Sequence, residues 1–81
     1  MTRKQLYRQI AAFTDDWKDA RRKANIFDEN CAVMLKQVES VTLSFGKFLS
    51  HEGKYHGENR NTLHFHYKDR KGKQYVFSII D

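Results

Sequence analysis

A β-hairpin is predicted by the stretch Thr62-Leu-His-Phe-His-Tyr-Lys-Asp-Arg-Lys-Gly-Lys-Gln-Tyr-Val-Phe-Ser-Ile-Ile-Asp81, which decides the fold. From Leu63 to Lys68 apolar and polar residues alternate, which is the pattern of a strand with one buried face. The run from Gln74 to Ile80 is rich in aromatic and β-branched residues and suits a second strand. Between the two runs, Gly72 can adopt the positive φ that closes a three-residue loop, built from a type I turn and a glycine bulge.

This loop predicts how the two strands pair. It sets Asp69 opposite Lys73, and counting outward gives three further pairs: Tyr67 and Tyr75, Phe65 and Phe77, Leu63 and Ile79. The large rings therefore share one face, and burial of that face penalises a slip by one residue. The opposite face is polar and basic with an apolar streak, and it carries His64, His66, Lys68, Gln74, Val76 and Ser78, with Thr62 and Ile80 at one end.

The first third of the chain predicts a long N-terminal helix. Its apolar residues recur at steps of three or four and are Leu6, Ile10, Phe13, Trp17, Ala20 and Ala24. Thr2 is the expected N-cap, and residues 25–27 are the expected break. After the break Asp28 caps a short second helix, whose buried side holds Cys31, Met34, Leu35 and Val38. A strand over residues 32–35 is the competing interpretation, because a short apolar run cannot be assigned from its period alone.

A third strand is predicted from Ser40, because Val41, Leu43 and Phe45 alternate with polar residues. Gly46 is the expected position of a bulge. Residues 50–61 have the composition of a loop. The prediction is a single α+β domain over residues 1–81, with a long N-terminal helix, a short second helix and a three-stranded antiparallel β-meander, packed in two layers.

The composition is that of a small folded domain. Of the 81 residues, 40% are apolar, 31% are charged and 14% are aromatic, which argues against a disordered tail. No apolar run approaches the roughly 18 residues that span a bilayer, and the N-terminal residues lack the apolar stretch of a secretory signal. The single cysteine, Cys31, cannot form an internal disulfide. We therefore expect a cytoplasmic protein with no membrane partner.

Basic residues are concentrated at the two ends of the chain. The formal net charge is +5; residues 1–24 hold seven basic and three acidic side chains, residues 25–45 one and three, and residues 46–81 seven and four. The first of these groups contains Arg3, Lys4, Arg8, Arg21, Arg22 and Lys23, and the last contains Lys68, Arg70, Lys71 and Lys73 around the predicted hairpin loop. An excess of positive charge favours association with polyanions such as nucleic acids.

Two histidines, His64 and His66, are predicted to lie side by side on the polar strand face. Two imidazoles are too few for a metal site and no spacing matches a zinc signature, so neither a metal nor another cofactor is predicted. Imidazole can act as base and acid in metal-independent RNA cleavage, with cations stabilising the phosphorane. For this alternative, the candidate catalytic residues are His64, His66, Lys68 and Arg60. The helix-then-sheet order is similar, at the level of fold only, to compact RNase toxins of the barnase and RelE kind.

No motif in the sequence specifies a reaction, and we expect a non-enzymatic binding or regulatory module. Its contact surface is predicted to be the polar strand face and the hairpin loop, with Arg70, Lys71, Lys73, Lys68, His64 and His66 as binding residues. The expected partner is a protein, a ribonucleoprotein or a nucleic acid, and a nucleic-acid-binding protein and an RNase are the alternatives. The last strand has an uncovered edge, through which two copies of the chain could pair as a homodimer.

Overall fold

The computed structural model describes residues 1–49 and 59–80, with side chains in residues 1–46 and 61–80. The elements follow the order α1 (Arg3–Thr14), α2 (Trp17–Asn30), a 3-10 turn (Leu35–Gln37), β1 (Val38–Leu49), β2 (Asn59–Asp69) and β3 (Gln74–Ile80). The strands form one antiparallel sheet in the order β1-β2-β3. The predicted α+β layout, helices followed by a three-stranded antiparallel meander, is confirmed.

The helical part is a hairpin of two helices, whereas the sequence predicted one helix up to Ala24. The first helix ends at Thr14 because Asp15 adopts the left-handed conformation, with φ at 55°. Asp16 then caps α2, since its side chain accepts a hydrogen bond from Asp19 N at 3.1 Å. The predicted stripe is buried within each helix, at Leu6 and Ile10 in α1 and at Ala20 and Ala24 in α2, whereas Phe13 and Trp17 beside the break are exposed.

The start of α1 agrees with the prediction. Thr2 Oγ1 accepts a hydrogen bond from Gln5 N at 3.1 Å, and Gln5 Oε1 accepts one from Thr2 N at 2.9 Å. This reciprocal pair is a capping box, which satisfies two N–H groups that have no partner inside the helix. The first turn contains no acidic residue, although the helix dipole favours one there, and Arg3 and Lys4 occupy it instead.

The predicted boundary between the first and second helices is wrong. Residues 25–27 lie inside α2, which continues through Asp28 to Asn30. Phe27 is fully buried in this helix, so tertiary packing holds a segment that its local sequence marked as a break. Residues 31–34 form neither the predicted short helix nor the competing strand. They lead into the 3-10 turn, after which Val38 begins β1.

The predicted register of the hairpin is confirmed. The pairs between β2 and β3 include Tyr67 with Tyr75, Phe65 with Phe77 and Leu63 with Ile79. Asp69 N donates to Lys73 O at 3.0 Å, and Gly72 has a φ of 86°, as the three-residue loop requires. β2 begins at Asn59, so the predicted loop over residues 50–61 is too long at its end, and its residues 50–58 lie outside the described part of the chain.

The pairing of β1 with β2 corrects one prediction. Gly46 pairs with Thr62 and the ladder continues beyond it, so there is no bulge at Gly46. The irregularity lies instead between Val38 and Ser40. Because Val41 pairs with Tyr67, β1 contributes its own apolar residues to the face that carries the rings.

The core lies between this sheet face and the helices. Its centre is the ring of Phe27, whose centroid is 4.9 Å from those of Phe65 and Tyr67 and 6.1 Å from that of Phe77. The buried apolar residues are Leu6, Ile10, Ala20, Ala24, Phe27, Val38, Val41, Leu63, Phe65, Tyr67 and Ile79. The helices thus cover one face of the sheet. None of the helices in the described ranges is long and apolar enough to cross a membrane.

Candidate binding surface

The sheet face turned away from the helices carries hydroxyl, imidazole, amide and ammonium groups. We call it the polar face; its residues are Ser40, Thr42, Ser44, His64, His66, Lys68, Gln74, Val76 and Ser78. They lie in three rows across the strands: Ser40, Lys68 and Gln74; Thr42, His66 and Val76; Ser44, His64 and Ser78. The register therefore brings His64, His66 and Lys68 to one face, while their role in binding stays a prediction.

His64 is held in place within the polar face. Its Nδ1 is 2.7 Å from Ser78 Oγ, at hydrogen-bond distance. A Cβ atom placed on Gly46 would lie only 2.6 Å from His64 Nε2, so the imidazole occupies the space that a side chain at position 46 would fill. Gly46 is thus explained by the room that it leaves for His64. Its φ does not require glycine, since Gly72 is the glycine with positive φ among the described residues.

His66 is the more accessible of the two histidines. Its Nε2 lies 3.3 Å from Ser44 Oγ, and its ring centroid is 6.2 Å from that of His64. It lines a depression of about 410 Å³ on the polar face, together with Ser40, Thr42, Lys68, Gln74 and Val76. Such a surface offers hydrogen-bond donors and one positive charge to a polar or anionic partner.

The hairpin tip, residues Asp69 to Lys73, is ordered around an inward carboxylate. Asp69 is 8% exposed. Its Oδ1 accepts hydrogen bonds from Lys71 N at 2.9 Å and Lys73 N at 3.0 Å, and its Oδ2 accepts one from the Tyr75 hydroxyl at 3.1 Å. Burial alone would raise the pKa of Asp69, but these hydrogen bonds outweigh burial and hold the pKa below its ordinary value. The carboxylate stays ionised inside the turn.

Stacked tyrosines join the hairpin tip to the core. The ring centroids of Tyr67 and Tyr75 are 5.1 Å apart with the planes at 17°. The Tyr67 hydroxyl accepts a hydrogen bond from Ala32 N at 3.1 Å. Burial raises the pKa of the Tyr67 hydroxyl, and burial together with the Asp69 carboxylate raises that of Tyr75, so both remain neutral near pH 7.

Five exposed cations surround the hairpin tip. We call them the tip cations: Lys36, Lys68, Arg70, Lys71 and Lys73. Arg70 is anchored, because its backbone N donates to Gln37 O at 3.0 Å and its Nε donates to Lys36 O at 3.2 Å. Lys73 Nζ lies 5.3 Å from the centroid of the Tyr75 ring. Within the described residues, no carboxylate comes within ion-pair distance of a tip cation.

Lys36 was missed by the sequence analysis. It lies far from the hairpin in sequence, and a tertiary contact, the hydrogen bond from Arg70 to its carbonyl, places it beside the tip. No local pattern marks that contact. The other predicted binding residues lie where the hairpin register placed them, His64, His66 and Lys68 on the polar face and Arg70, Lys71 and Lys73 at the tip.

The candidate catalytic set is only partly brought together. His64, His66 and Lys68 share the polar face, but Arg60, although in β2, has a side chain outside the described part of the chain. The described residues contain no group of three or more His, Cys, Asp or Glu side chains placed to hold a metal ion.

The fold and this surface define a small α+β domain with one covered sheet face and one polar face that ends in a cationic hairpin tip. No protein-family model matches the chain, and the comparisons with curated proteins and with solved structures found no match either. The function must therefore be argued from the geometry and charge of the surface itself.

Proposed function

We propose that this protein is a non-enzymatic binding module, which contacts a nucleic acid, alone or within a ribonucleoprotein, through the hairpin tip and the polar face. The observation that carries the proposal is the unbalanced charge of the tip. Five exposed cations surround it, while the carboxylate of Asp69 is turned inward and accepts hydrogen bonds from backbone N–H groups of the turn. Five cations around one carboxylate leave an excess of positive charge, and cations that bind a phosphate backbone release its condensed counterions.

The chemistry of the polar face suits contacts with phosphate and sugar. Hydroxyl, imidazole, amide and ammonium groups donate hydrogen bonds to phosphate oxygens and so fix the position of a strand. On the strand that carries the histidines, the rings of Phe65 and Tyr67 point to the helix side, so the polar face contacts phosphate and sugar and does not stack on bases through them. Contacts with phosphate carry no sequence information, so the proposal is binding with little sequence preference.

The charge of the tip can be tested by the salt dependence of binding. We would measure the anisotropy of labelled single-stranded and duplex RNA and DNA with the wild type and with the Lys71→Gln/Lys73→Gln variant. If each lysine meets one phosphate, the slope of log K against log salt becomes shallower by about 1.4 for single strands and about 1.8 for duplexes.

The matched control removes two positive charges elsewhere on the surface. Lys18 and Arg22 are exposed residues of α2, and Arg22 already pairs with Asp19 at 2.8 Å. The Lys18→Gln/Arg22→Gln variant should keep the wild-type slope. Equal slopes for the wild type and the tip variant, or a wild type that retains no nucleic acid at low salt, would refute the role of the tip.

RNA cleavage is a second candidate function, supported by the two imidazoles on one face with ring centroids 6.2 Å apart. A base and an acid so placed could flank one phosphate, with Lys68 as the neighbouring cation. The RNA from the binding reactions would be run on a gel over a range of pH. Cleavage that disappears in both His64→Ala and His66→Ala variants with intact fold would establish this candidate, and intact RNA would exclude it.

A further inference from the structure

We infer that the seam between α1 and α2 is a second phosphate-binding surface, whose ligand is the backbone of a nucleic acid. A groove of about 660 Å³ lies at this seam and is lined by helix residues only. We call it the helix groove; its polar lining residues are Arg3, Lys4, Tyr7, Arg8, Arg21 and Asn25. It shares its ligand class with the proposed function but none of its residues, because the polar face lies on the other side of the sheet.

The lining of the helix groove has an excess of positive charge. Four of its residues are basic and none is acidic. Arg3 pairs with Asp28, which lies outside the lining. Lys4 and Arg8 are exposed and have no ion-pair partner within the described residues. The helix groove therefore presents at least two positive charges that no carboxylate pairs with among the described residues.

The position of these cations is unfavourable for the stability of α1. Backbone N–H groups make the first turn of a helix a region of positive potential, where acidic side chains stabilise and basic ones destabilise. Arg3 and Lys4 lie in that turn, and no acidic residue accompanies them. The stability of α1 therefore does not explain the presence of Lys4. A phosphate group in the groove would explain it, since both the Lys4 ammonium group and the helix dipole attract a phosphate.

One arginine of the groove is already oriented for such a ligand. The guanidinium carbon of Arg21 lies 5.8 Å from the centroid of the Tyr7 ring. A guanidinium held against a ring keeps its in-plane N–H groups free to donate to phosphate oxygens. Lys4 and Arg8 are one turn apart, which is about 6 Å along the helix axis. Both cations therefore line the same groove, and each can contact a phosphate of one strand.

The test compares three double variants that each remove two positive charges. They are Lys4→Gln/Arg8→Gln in the helix groove, Lys71→Gln/Lys73→Gln at the tip, and Lys18→Gln/Arg22→Gln as the control on α2 outside the groove. Binding of labelled single-stranded and duplex nucleic acid would be measured against salt, as above. We expect the groove variant to lower the slope of log K against log salt by about 1.4 to 1.8 relative to the control.

A stability measurement separates binding from folding. Because Lys4 opposes the dipole of α1, the groove variant should unfold at a temperature no lower than the wild type does. Wild-type affinity and slope in the groove variant would overturn the inference, whether or not the tip variant is impaired. A loss in the groove variant with an unimpaired tip variant would uphold the inference and refute the proposed role of the tip. A wild type that binds no nucleic acid at low salt would overturn both.

Discussion

Successive residues of β2 lie on opposite faces of the sheet, and the side chains on the two faces differ in burial. Leu63, Phe65 and Tyr67 are 2%, 0% and 5% exposed and pack beneath the helices. His64 is half-buried and His66 is exposed on the other side of the same strand. The first set holds the domain together, because each ring contacts others from α2 or β3. The second set contacts hydroxyl groups of the polar face, since His64 Nδ1 lies 2.7 Å from Ser78 Oγ and His66 Nε2 lies 3.3 Å from Ser44 Oγ.

Because of this difference, the core and the proposed binding surface can be altered separately in one short strand. Successive side chains of a strand point to opposite faces, so a change at one position leaves the other face in place. A residue of the polar face that matters for stability as much as its neighbour on the helix side would contradict this separation.

Truncation of Phe65 should cause the largest loss of stability. Its ring is fully buried and lies 4.9 Å from Phe27 and 5.9 Å from Phe77. Phe65→Ala should lower the free energy of unfolding by about 3–5 kcal/mol, measured by urea unfolding followed by circular dichroism. His66→Ala, one residue further on, should change it by less than about 0.5 kcal/mol. If Phe65→Ala does not fold, Phe65→Leu would be measured in its place. Equal losses of unfolding free energy at positions 65 and 66 would contradict the difference between the two faces of β2.

Protonation of Asp69 should destabilise the turn that sets the register between the faces. Its pKa is lowered in the folded state, so the ionised carboxylate adds stability above the pKa of an unfolded Asp, about 3.9. That stability is lost as the pH falls through the lower, folded pKa. The difference in unfolding free energy between the wild type and Asp69→Asn should be constant from neutral pH down to about 5 and shrink below about 4. A difference that does not change with pH would contradict the role of the charge.

Gly72 should be required for its backbone conformation and not for space. A Cβ atom there would meet nothing within 4 Å, but the φ of 86° lies in the left-handed region. Gly72→Ala should therefore lower the free energy of unfolding by about 1–2 kcal/mol. Gly72→Asn should lower it less, because asparagine tolerates this region. Equal losses for the two variants in urea unfolding would mean that φ is not the reason for glycine here.

The hairpin was predictable because its determinants are local. Alternation from Leu63 to Lys68 and a glycine at the right place in the loop fix the register without any help from the rest of the chain. For the helices, the apolar stripe was predictable, but the division of the stripe between two helices was not. Four of its six residues are buried, but they belong to two helices, and the two beside the break between the helices, Phe13 and Trp17, are exposed. The overlooked signal was Asp16 as an N-cap with Asp19 in the first turn of the next helix.

The candidate site follows the same division. His64, His66 and Lys68 could be placed on one face from the strand period alone. Lys36 could not, because a hydrogen bond between distant parts of the chain brings it to the tip. Nor could the helix groove be predicted, since Lys4 and Arg21 face each other only after the chain reverses at Asp15.

The smallest effect concerns the close approach of Gly46 and the His64 ring on the polar face. Gly46→Ala would force the His64 ring away, since the new Cβ would lie 2.6 Å from its Nε2, and the hydrogen bond to Ser78 would be lost. Losing that bond costs about 0.5–1.5 kcal/mol, whereas alanine in place of a strand glycine gains about 0.5–1 kcal/mol. The net change in the free energy of unfolding should therefore be small, and the displaced imidazole should show as a shift of its NMR resonances.

A double-mutant cycle separates the two opposing contributions to this net change. In a His64→Ala background nothing opposes the new methyl group, so Gly46→Ala should raise the free energy of unfolding by about 0.5–1 kcal/mol. The coupling between positions 46 and 64 should then equal the lost hydrogen bond, about 0.5–1.5 kcal/mol. Zero coupling would show that His64 moves without cost and that the polar face holds no packed position. A coupling free energy as large as that between two core residues would instead mean that the two faces of β2 do not differ in their importance for stability.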